Sequence, residues 1–250
     1  MRTRAVLVVI VGVLAACSSG STAKAKSLVT DRATTTTSSP APNPADEALA
    51  QHAVLNLSDL PPGWTSKPRT RDTSHTVAKQ LSACFHVRGP KLIANAANAD
   101  SPDFSSPEHQ VVTNTVGVAR SARVIAKVLD VISGPGAPKC VAAAFGTAIS
   151  EGLKSSSADT LPAGTKIGTV SVSPESFAAL GDRTVAFQAS IPVSIKGSSG
   201  TVYVDIIIVQ QGRAGLILTA EDTLTPFPVD VSASLLRKVL ARLPHSPAAQ

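Results

Sequence analysis

The sequence is poor in aromatic residues and in charge, and both shortages limit what the protein can bind. Six Phe, one Trp and one Tyr make up the aromatic content of 250 residues. Single-stranded nucleic acids are bound by stacking bases on aromatic side chains and by a strongly basic surface that follows the phosphates. A formal net charge of +6 is a mild excess for a chain of this length. We therefore expect no nucleic-acid partner.

Sequence motifs of common enzyme and metal sites are also missing. The chain contains no G-x-S-x-G, H-E-x-x-H, P-loop, G-x-G-x-x-G or calcium-loop motif. The histidines are scattered and lack carboxylates at metal-ligand spacing; they are His52, His75, His86, His109 and His245. We interpret them as surface or capping residues and expect no catalytic residues, no metal and no cofactor. A triad assembled from distant residues is the alternative left open.

The N-terminus has the features of a lipoprotein export signal. Arg2 and Arg4 precede an uncharged, mostly apolar run at 5–16. A membrane-spanning helix needs roughly 20 apolar residues, so a run of this length is typical of a signal peptide instead. The run ends with Leu-Ala-Ala-Cys at 14–17, which resembles the lipobox of bacterial lipoproteins. We predict that Cys17 carries a diacylglycerol anchor; an ordinary secretory signal with a chance cysteine is the alternative.

Lipidation at Cys17 predicts a protein held on the extracytoplasmic face of the cell membrane by acyl chains such as palmitate. Loss of the signal at 1–16 removes Arg2 and Arg4, which lowers the formal charge from +6 to +4. The following segment, 17–46, is rich in Ser, Thr, Ala, Lys and Pro and has almost no large apolar side chains. Such a segment cannot bury enough surface to offset its chain entropy. We predict a flexible tether there and a disordered tail at 245–250.

Two cysteines, Cys84 and Cys140, remain once Cys17 is assigned to the lipid. Pairing is the default in an oxidising, exported compartment, so we predict a disulfide between them. The bridge would close a loop of 56 residues. Closing such a loop stabilises the fold by roughly 4 kcal/mol in the chain-entropy model. A zinc site or a catalytic thiol is the alternative. A zinc site would need more ligands at short spacing, and His86 is the one nearby.

We predict one α+β domain at 47–244, which the resemblance described below makes sensor-like. The clearest helices carry apolar residues at i, i+3, i+4 and i+7, and they lie at 121–133, 139–154 and 230–243, with Asp230 as the N-cap of the last. A shorter helix is predicted at 47–57, before a Pro-Pro-Gly turn at 60–64. Alternation of apolar and polar residues predicts strands at 111–118, 184–195, 201–210 and 214–220, and a weaker one at 166–173. The element order predicts an antiparallel sheet of four to six strands, with helices on one face and a partly covered second face.

Several segments together resemble actinobacterial envelope lipoproteins. They are the lipobox, the Ser/Thr/Pro-rich tether, Leu-Ser-Asp-Leu-Pro-Pro-Gly-Trp at 57–64, Ser-Ala-Cys at 82–84, the strand and Ala-rich helix at 111–132, Lys-Cys at 139–140 and Leu-Gly-Asp-Arg at 180–183. The group we identify first is the PknH-like extracellular sensor domain, found on a receptor kinase and as free-standing lipoproteins; the Mog1/PsbP-like lipoproteins are the second choice. The resemblance implies a sheet-and-helix domain with a ligand-binding cleft, and it carries over no site residues. The kinase sensor has two disulfides, whereas this chain can form one after lipidation.

Two features of the predicted domain favour a ligand site. Trp64 lies near Lys67, Arg69 and Arg71, and a loop of this kind suits an anionic ligand or a lipid headgroup. The alternative is that Trp64 packs against the domain and the charges are solvated. The interior is also rich in Ala, Val and Ile, which suits an apolar cavity for an acyl chain, although ordinary core packing explains it equally well.

The predicted function is a membrane-anchored, non-enzymatic binding or sensing module for an unknown small molecule or envelope ligand. This hypothesis depends on the tether, the disulfide and the missing catalytic motifs. Three alternatives remain. They are a scaffold lipoprotein that acts through an exposed apolar patch, a lipid-binding carrier and, less favoured, a hydrolase.

Overall fold

The computed structural model describes residues 43–69, 76–86, 95–155 and 164–244. These ranges contain five α-helices: α1 (Pro44–Ala53), α2 (Thr76–Cys84), α3 (Ala122–Ile132), α4 (Ala137–Ser155) and α5 (Val229–Ala241). They also contain nine strands: β1 (Thr65–Lys67), β2 (Asn95–Asp100), β3 (Asp103–Ser105), β4 (Val111–Ala119), β5 (Thr165–Ile167), β6 (Ser171–Pro174), β7 (Arg183–Ile195), β8 (Ser198–Gln211) and β9 (Ala214–Asp222). A 3-10 helix covers Leu57–Asp59.

All nine strands belong to one antiparallel sheet. Its order is β1-β3-β4-β9-β8-β7-β5, with β2 paired to β4 and β6 paired to β7. The α+β class and the predicted meander, which is β7, β8 and β9, are confirmed. The prediction of four to six strands was wrong. The short strands β1 and β3 and the Asn- and Ala-rich β2 have little β propensity of their own, so pairing with neighbours defines them.

The predicted strand at 166–173 is two strands. β5 and β6 both pair with β7, and the chain leaves that pairing between them. Gly168 follows β5 directly, and its N–H makes a last hydrogen bond to β7, to the Pro192 carbonyl at 2.7 Å. A Cβ at Gly168 would stand 3.0 Å from the Pro192 ring, so this approach suits glycine.

Side chains alternate between the two faces of the sheet, and helices lie on both faces. On the first, which we call the closed face, α1 and α5 pack on strand residues such as Val116, Leu218 and Ile207. On the second, the cavity face, α2, α3 and α4 pack on residues such as Ile191, Val204 and Ile208. The second face is therefore covered by helices more fully than the sequence predicted.

The helices differ from the predictions at several points. Helix α1 begins at Pro44, not at 47, because Asn43 caps it by accepting from the Ala45 N–H at 3.1 Å. The last residues assigned to the tether are therefore folded. Helix α5 begins at Val229, so Asp230 lies in its first turn and is not its N-cap. Helix α2 was not predicted.

Several predictions concern residues outside the described ranges. They are the signal at 1–16, the lipidated Cys17, the tether up to 42 and the tail at 245–250. Among the residues that the structure does describe, we find no helix with the length and apolar character needed to cross a membrane.

Candidate functional site

A cavity of about 150 Å³ lies between the sheet and the helices of the cavity face. Its lining is mostly apolar and comes from α2, α3, α4 and strands β2, β4, β7, β8 and β9. Two of its wall residues on the sheet, Ile208 and Ile217, are half-buried, as is Val128 on α3. Folded interiors leave few voids larger than a water molecule, so a space of this size is a candidate binding site.

Two glycines form part of the sheet wall of the cavity. Gly117 on β4 and Gly215 on β9 face each other in the β4–β9 register, and both line the cavity. A Cβ on Gly215 would lie 3.2 Å from Ile125 Cδ1, so α3 approaches the sheet closely here.

The helix wall of the cavity is joined by the predicted disulfide. Cys84 at the end of α2 is bonded to Cys140 in the first turns of α4, with the two Cα atoms 5.6 Å apart. Leu81 and Phe85 on one side of this bridge and Val141 on the other line the cavity. The zinc-site and catalytic-thiol alternatives do not apply to these two cysteines, because both sulfurs are in the disulfide.

One end of the cavity is polar. Thr115 lines the cavity, and its hydroxyl accepts from Arg69 Nη1 at 3.2 Å and donates to Asp100 Oδ1 at 2.8 Å. Arg69 Nη1 also lies 3.6 Å from Asp100 Oδ1, and Arg69 Nε lies 4.0 Å from Asp103 Oδ1. On β9, Thr219 lines the cavity and Glu221 follows it on the same face of the sheet. We call Arg69, Asp100, Asp103 and Glu221 the polar cluster.

Glu221 is the most buried member of the polar cluster, with 2% of its surface exposed. Burial, helped by the negative charge of Asp103 and opposed by Arg69, raises the pKa of Glu221 to about 8. Within the described ranges, Glu221 Oε2 has no hydrogen-bond partner. Burial also raises the pKa of Asp103, against the lowering effect of Arg69 and Lys67. At neutral pH the Glu221 carboxyl group therefore holds its proton.

The structure separates the four residues of the predicted anion-binding loop. Trp64 is half-buried against the core of the closed face. Lys67 is exposed on β1. Arg69 is turned inward, and its charge faces the carboxylates of the polar cluster. Arg71 lies outside the described ranges, so an anion site in this loop stays a prediction that depends on Lys67 and Arg71.

The described histidines lie away from the cavity wall. His52 on α1, and His86 and His109 in turns with positive φ, are exposed. His75 and His245 lie outside the described ranges. Over the part of the chain that the structure describes, no three His, Cys, Asp or Glu side chains are arranged to hold a metal ion.

A second carboxylate pair lies on the closed face. Asp205 on β8 is 2% exposed and accepts from Gln188 Nε2 at 3.3 Å. Burial raises the pKa of Asp205 to about 6. Burial and the neighbouring Asp205 charge raise the pKa of Glu175 to about 7. This pair adjoins the packed core and lines no part of the cavity.

Comparison with known proteins gives limited guidance. Neither a protein-family model nor a curated protein matches the chain. Among solved structures, the chain is similar to the extracellular domain of PknH from Mycobacterium tuberculosis, with a TM-score of 0.36 and 11% identity, over 80% of this chain and 99% of that one. A likeness of this degree fixes neither the ligand nor the activity of this chain. Membership of the PknH-like or Mog1/PsbP-like group stays a prediction.

Proposed function

We propose that the chain is a non-enzymatic ligand-binding module on the outer side of the membrane, which holds a small apolar group in its cavity. The cavity between the sheet and α2, α3 and α4 is the observation that carries this proposal. An apolar protein cavity of comparable size binds benzene, so about six carbon atoms of a ligand fit. An aromatic ring or the end of an acyl chain meets that description.

The disulfide supports an exported location for this module. Cytosolic thiols are kept reduced, whereas structural disulfides persist outside the cytoplasm. The Cys84–Cys140 bridge joins two of the three helices that cover the cavity, so the binding site depends on an oxidising compartment for its full rigidity. Attachment to the membrane by a lipid on Cys17 is the second part of the proposal, and mass analysis of Cys17 from the membrane fraction tests it.

The polar residues of the cavity wall favour ligand binding over catalysis as the function of the cavity. Asn98, Thr115 and Thr219 contribute polar atoms to an otherwise apolar lining. The Thr115 hydroxyl already donates to Asp100 and accepts from Arg69. One lone pair of this hydroxyl is left to accept a hydrogen bond from a ligand, and most of the binding free energy comes from burying apolar surface.

Benzene titration of the oxidised full-length protein, followed by NMR of the Ile and Val methyl groups, tests the proposal. We expect the Ile208 and Ile217 methyl signals to shift saturably. Val128→Phe fills the cavity and should abolish the shifts. Val229→Phe is the matched control, because Val229 is 39% exposed on α5, on the opposite face. Wild-type protein with no shift in any cavity residue would contradict the proposal.

A further inference from the structure

We infer that the ligand is a neutral molecule with one hydroxyl group on an apolar body, as in a phenol, and that this hydroxyl binds between Thr115 and Thr219. The inference rests on the proposed function and adds the chemical class of the ligand. Thr115 on β4 and Thr219 on β9 both line the cavity, and Asn98 is the one other polar side chain in its wall as far as the structure describes the chain.

The two threonines lie close enough to bind one ligand group together. Thr115 is paired with Ile217 in the β4–β9 register, and Thr219 is two residues further along β9. Residues two apart on a strand point to the same face, so Thr219 is the diagonal neighbour of Thr115 on the cavity face. The Cα atoms of diagonal neighbours lie roughly 7–8 Å apart and their Cβ atoms lie closer. A ligand oxygen about 2.8 Å from each hydroxyl spans that gap.

The hydroxyl proton of Thr115 is already used, which decides what this residue binds. The hydroxyl donates to Asp100 Oδ1 at 2.8 Å and accepts from Arg69 Nη1 at 3.2 Å. A threonine hydroxyl has one proton and two lone pairs, so Thr115 keeps one lone pair for a ligand donor. An ether or carbonyl oxygen has no proton to place there. The ligand group at Thr115 therefore carries a proton.

Thr219 supplies the complementary donor. It is 8% exposed, and its hydroxyl makes no hydrogen bond to the residues that the structure describes. A buried hydroxyl without a partner costs free energy that a ligand acceptor recovers. A hydroxyl group both donates and accepts, so a single ligand hydroxyl donates to Thr115 and accepts from Thr219.

The surroundings of Thr115 disfavour a charged head of either sign. Arg69 and Asp100 both bond to the Thr115 oxygen, and Arg69 Nη1 lies 3.6 Å from Asp100 Oδ1. A cation at Thr115 would meet the guanidinium, and an anion would meet the carboxylate. Neither residue lines the cavity, so an ion would also lose its hydration without a counter-charge in the wall. A neutral hydroxyl avoids both costs.

Phenol and toluene test the hydroxyl, because they differ only by a hydroxyl in place of a methyl group. Both are titrated into the oxidised full-length protein at pH 7.5, where phenol keeps its proton, and the Ile and Val methyl signals are followed by NMR. We expect phenol to bind at least as tightly as toluene. Thr219→Val keeps the shape of the side chain and should weaken phenol about tenfold, as loss of a hydrogen bond allows, while toluene stays within twofold.

Thr115→Val is the second variant, in case Thr219→Val does not fold, and it should weaken phenol selectively as well. Thr113→Val is the matched control. Thr113 lies opposite Thr219 in the β4–β9 register but is absent from the cavity wall. This control should leave the affinities for both ligands within twofold.

Benzyl alcohol and benzylammonium have equal numbers of heavy atoms and test the charge, with benzoate as the anionic probe. We expect both ions to bind at least about tenfold more weakly than benzyl alcohol, since each gives up its hydration on entering the cavity. Toluene binding tenfold more tightly than phenol, an equal loss of both in Thr219→Val, or an ion binding more tightly than benzyl alcohol overturns the inference and leaves the proposed function standing. Failure of every ligand to bind overturns the proposed function itself.

Discussion

The two faces of the sheet come from the same strands and yet are packed differently. On the closed face Ile207, Leu216 and Leu218 are 0% exposed beneath α1 and α5. On the cavity face their neighbours in sequence, Ile208 and Ile217, are half-buried beside a space of about 150 Å³. The same alternating strands thus supply a buried apolar core on one face and the wall of a cavity on the other.

The two faces contribute differently to the stability of the fold and to its free volume. The closed face has continuous apolar contact between helices and strands, which is where most of the hydrophobic stabilisation arises. The cavity face has the Gly117–Gly215 pair in place of side chains, and a covalent bond joins two of its helices. Apolar packing holds α1 and α5 on the closed face. On the cavity face, where packing is incomplete, the disulfide also joins α2 to α4.

Removing the disulfide should have the largest effect on this contrast. Replacing Cys84 and Cys140 together by Ala should lower the free energy of unfolding by about 4 kcal/mol, because the unfolded chain regains the freedom of a long loop. Hydrogen exchange should speed up more in α2 and α4 than in α5. Urea denaturation and hydrogen exchange measure these effects. Equal loss of protection in α5 would show that the two faces are not independent.

Truncating adjacent residues of β9 compares the faces directly. Leu218→Ala leaves a void in the closed core and should cost about 3 kcal/mol. Ile217→Ala, at the next position but facing the cavity, should cost about 1 kcal/mol because its side chain already borders empty space. Urea denaturation of the two variants gives both values. A cost for Ile217→Ala equal to that for Leu218→Ala contradicts the contrast.

The buried carboxyl groups give each face its own pH dependence. Glu221 on the cavity face has a pKa of about 8, above its ordinary value of 4.5, so the folded chain binds the extra proton between these values. The free energy of unfolding should therefore fall as the pH rises from about 5 to 8, by about 1.4 kcal/mol for each pH unit. For Asp205 on the closed face, with a pKa raised from 3.8 to about 6, the fall begins near pH 4, and its neighbour Glu175, with a pKa raised to about 7, extends this fall to about pH 7.

Denaturation of wild-type protein, Glu221→Gln and Asp205→Asn across pH 4 to 9 tests this assignment. Glu221→Gln should flatten the upper part of the profile, and Asp205→Asn should flatten the lower part. A profile that either variant leaves unchanged shows that the corresponding group does not titrate as we expect.

The smallest effect concerns the ion pairs that attach helices to each face. Arg242 on the closed face pairs with Asp59, whose side chain is 7% exposed, and also donates to the Val54 carbonyl. Asp59→Ala should cost about 2 kcal/mol, since it leaves Arg242 without its charged partner. Arg183 pairs with Asp130 of α3 at 2.7 Å, but that carboxylate is 66% exposed. Asp130→Ala should cost less than about 1 kcal/mol by urea denaturation; a larger cost than Asp59→Ala contradicts the comparison.

The helices and strands that were predicted from the sequence have a clear apolar pattern within their own segment. The strands β7, β8 and β9 alternate strongly, and the stripe of Ile125, Leu129 and Ile132 gives α3 its buried side. The start of α1 also had a local signal, because Asn43 followed by Pro44 is a favourable helix N-terminus. The predicted start at 47 was wrong because the preceding prolines are typical of a disordered tether. The prediction followed that composition and not the helix cap at Asn43.

The site depends on register and distance, which a single sequence does not specify. Gly117 and Gly215 form one wall because β4 and β9 pair in a particular register. Arg69, Asp103 and Glu221 come from three separate strands or loops, and nothing in their local sequence relates them. A carboxylate in the apolar strand β9 was a detectable signal for Glu221, but the predicted strand ended at 220.

The beginning of α1 determines how the fold responds to a mechanical load. Asp46, in the first turn of α1, is buried and pairs with Arg213 at 2.7 Å, beside the β8–β9 turn. A pull applied at residue 43 reaches the sheet first through this pair. If it yields, peeling of α1 exposes Ala50 and Ala53 on the closed face, while the disulfide still joins α2 to α4 over the cavity. Traction applied at the start of α1 would thus loosen the closed face before the cavity face.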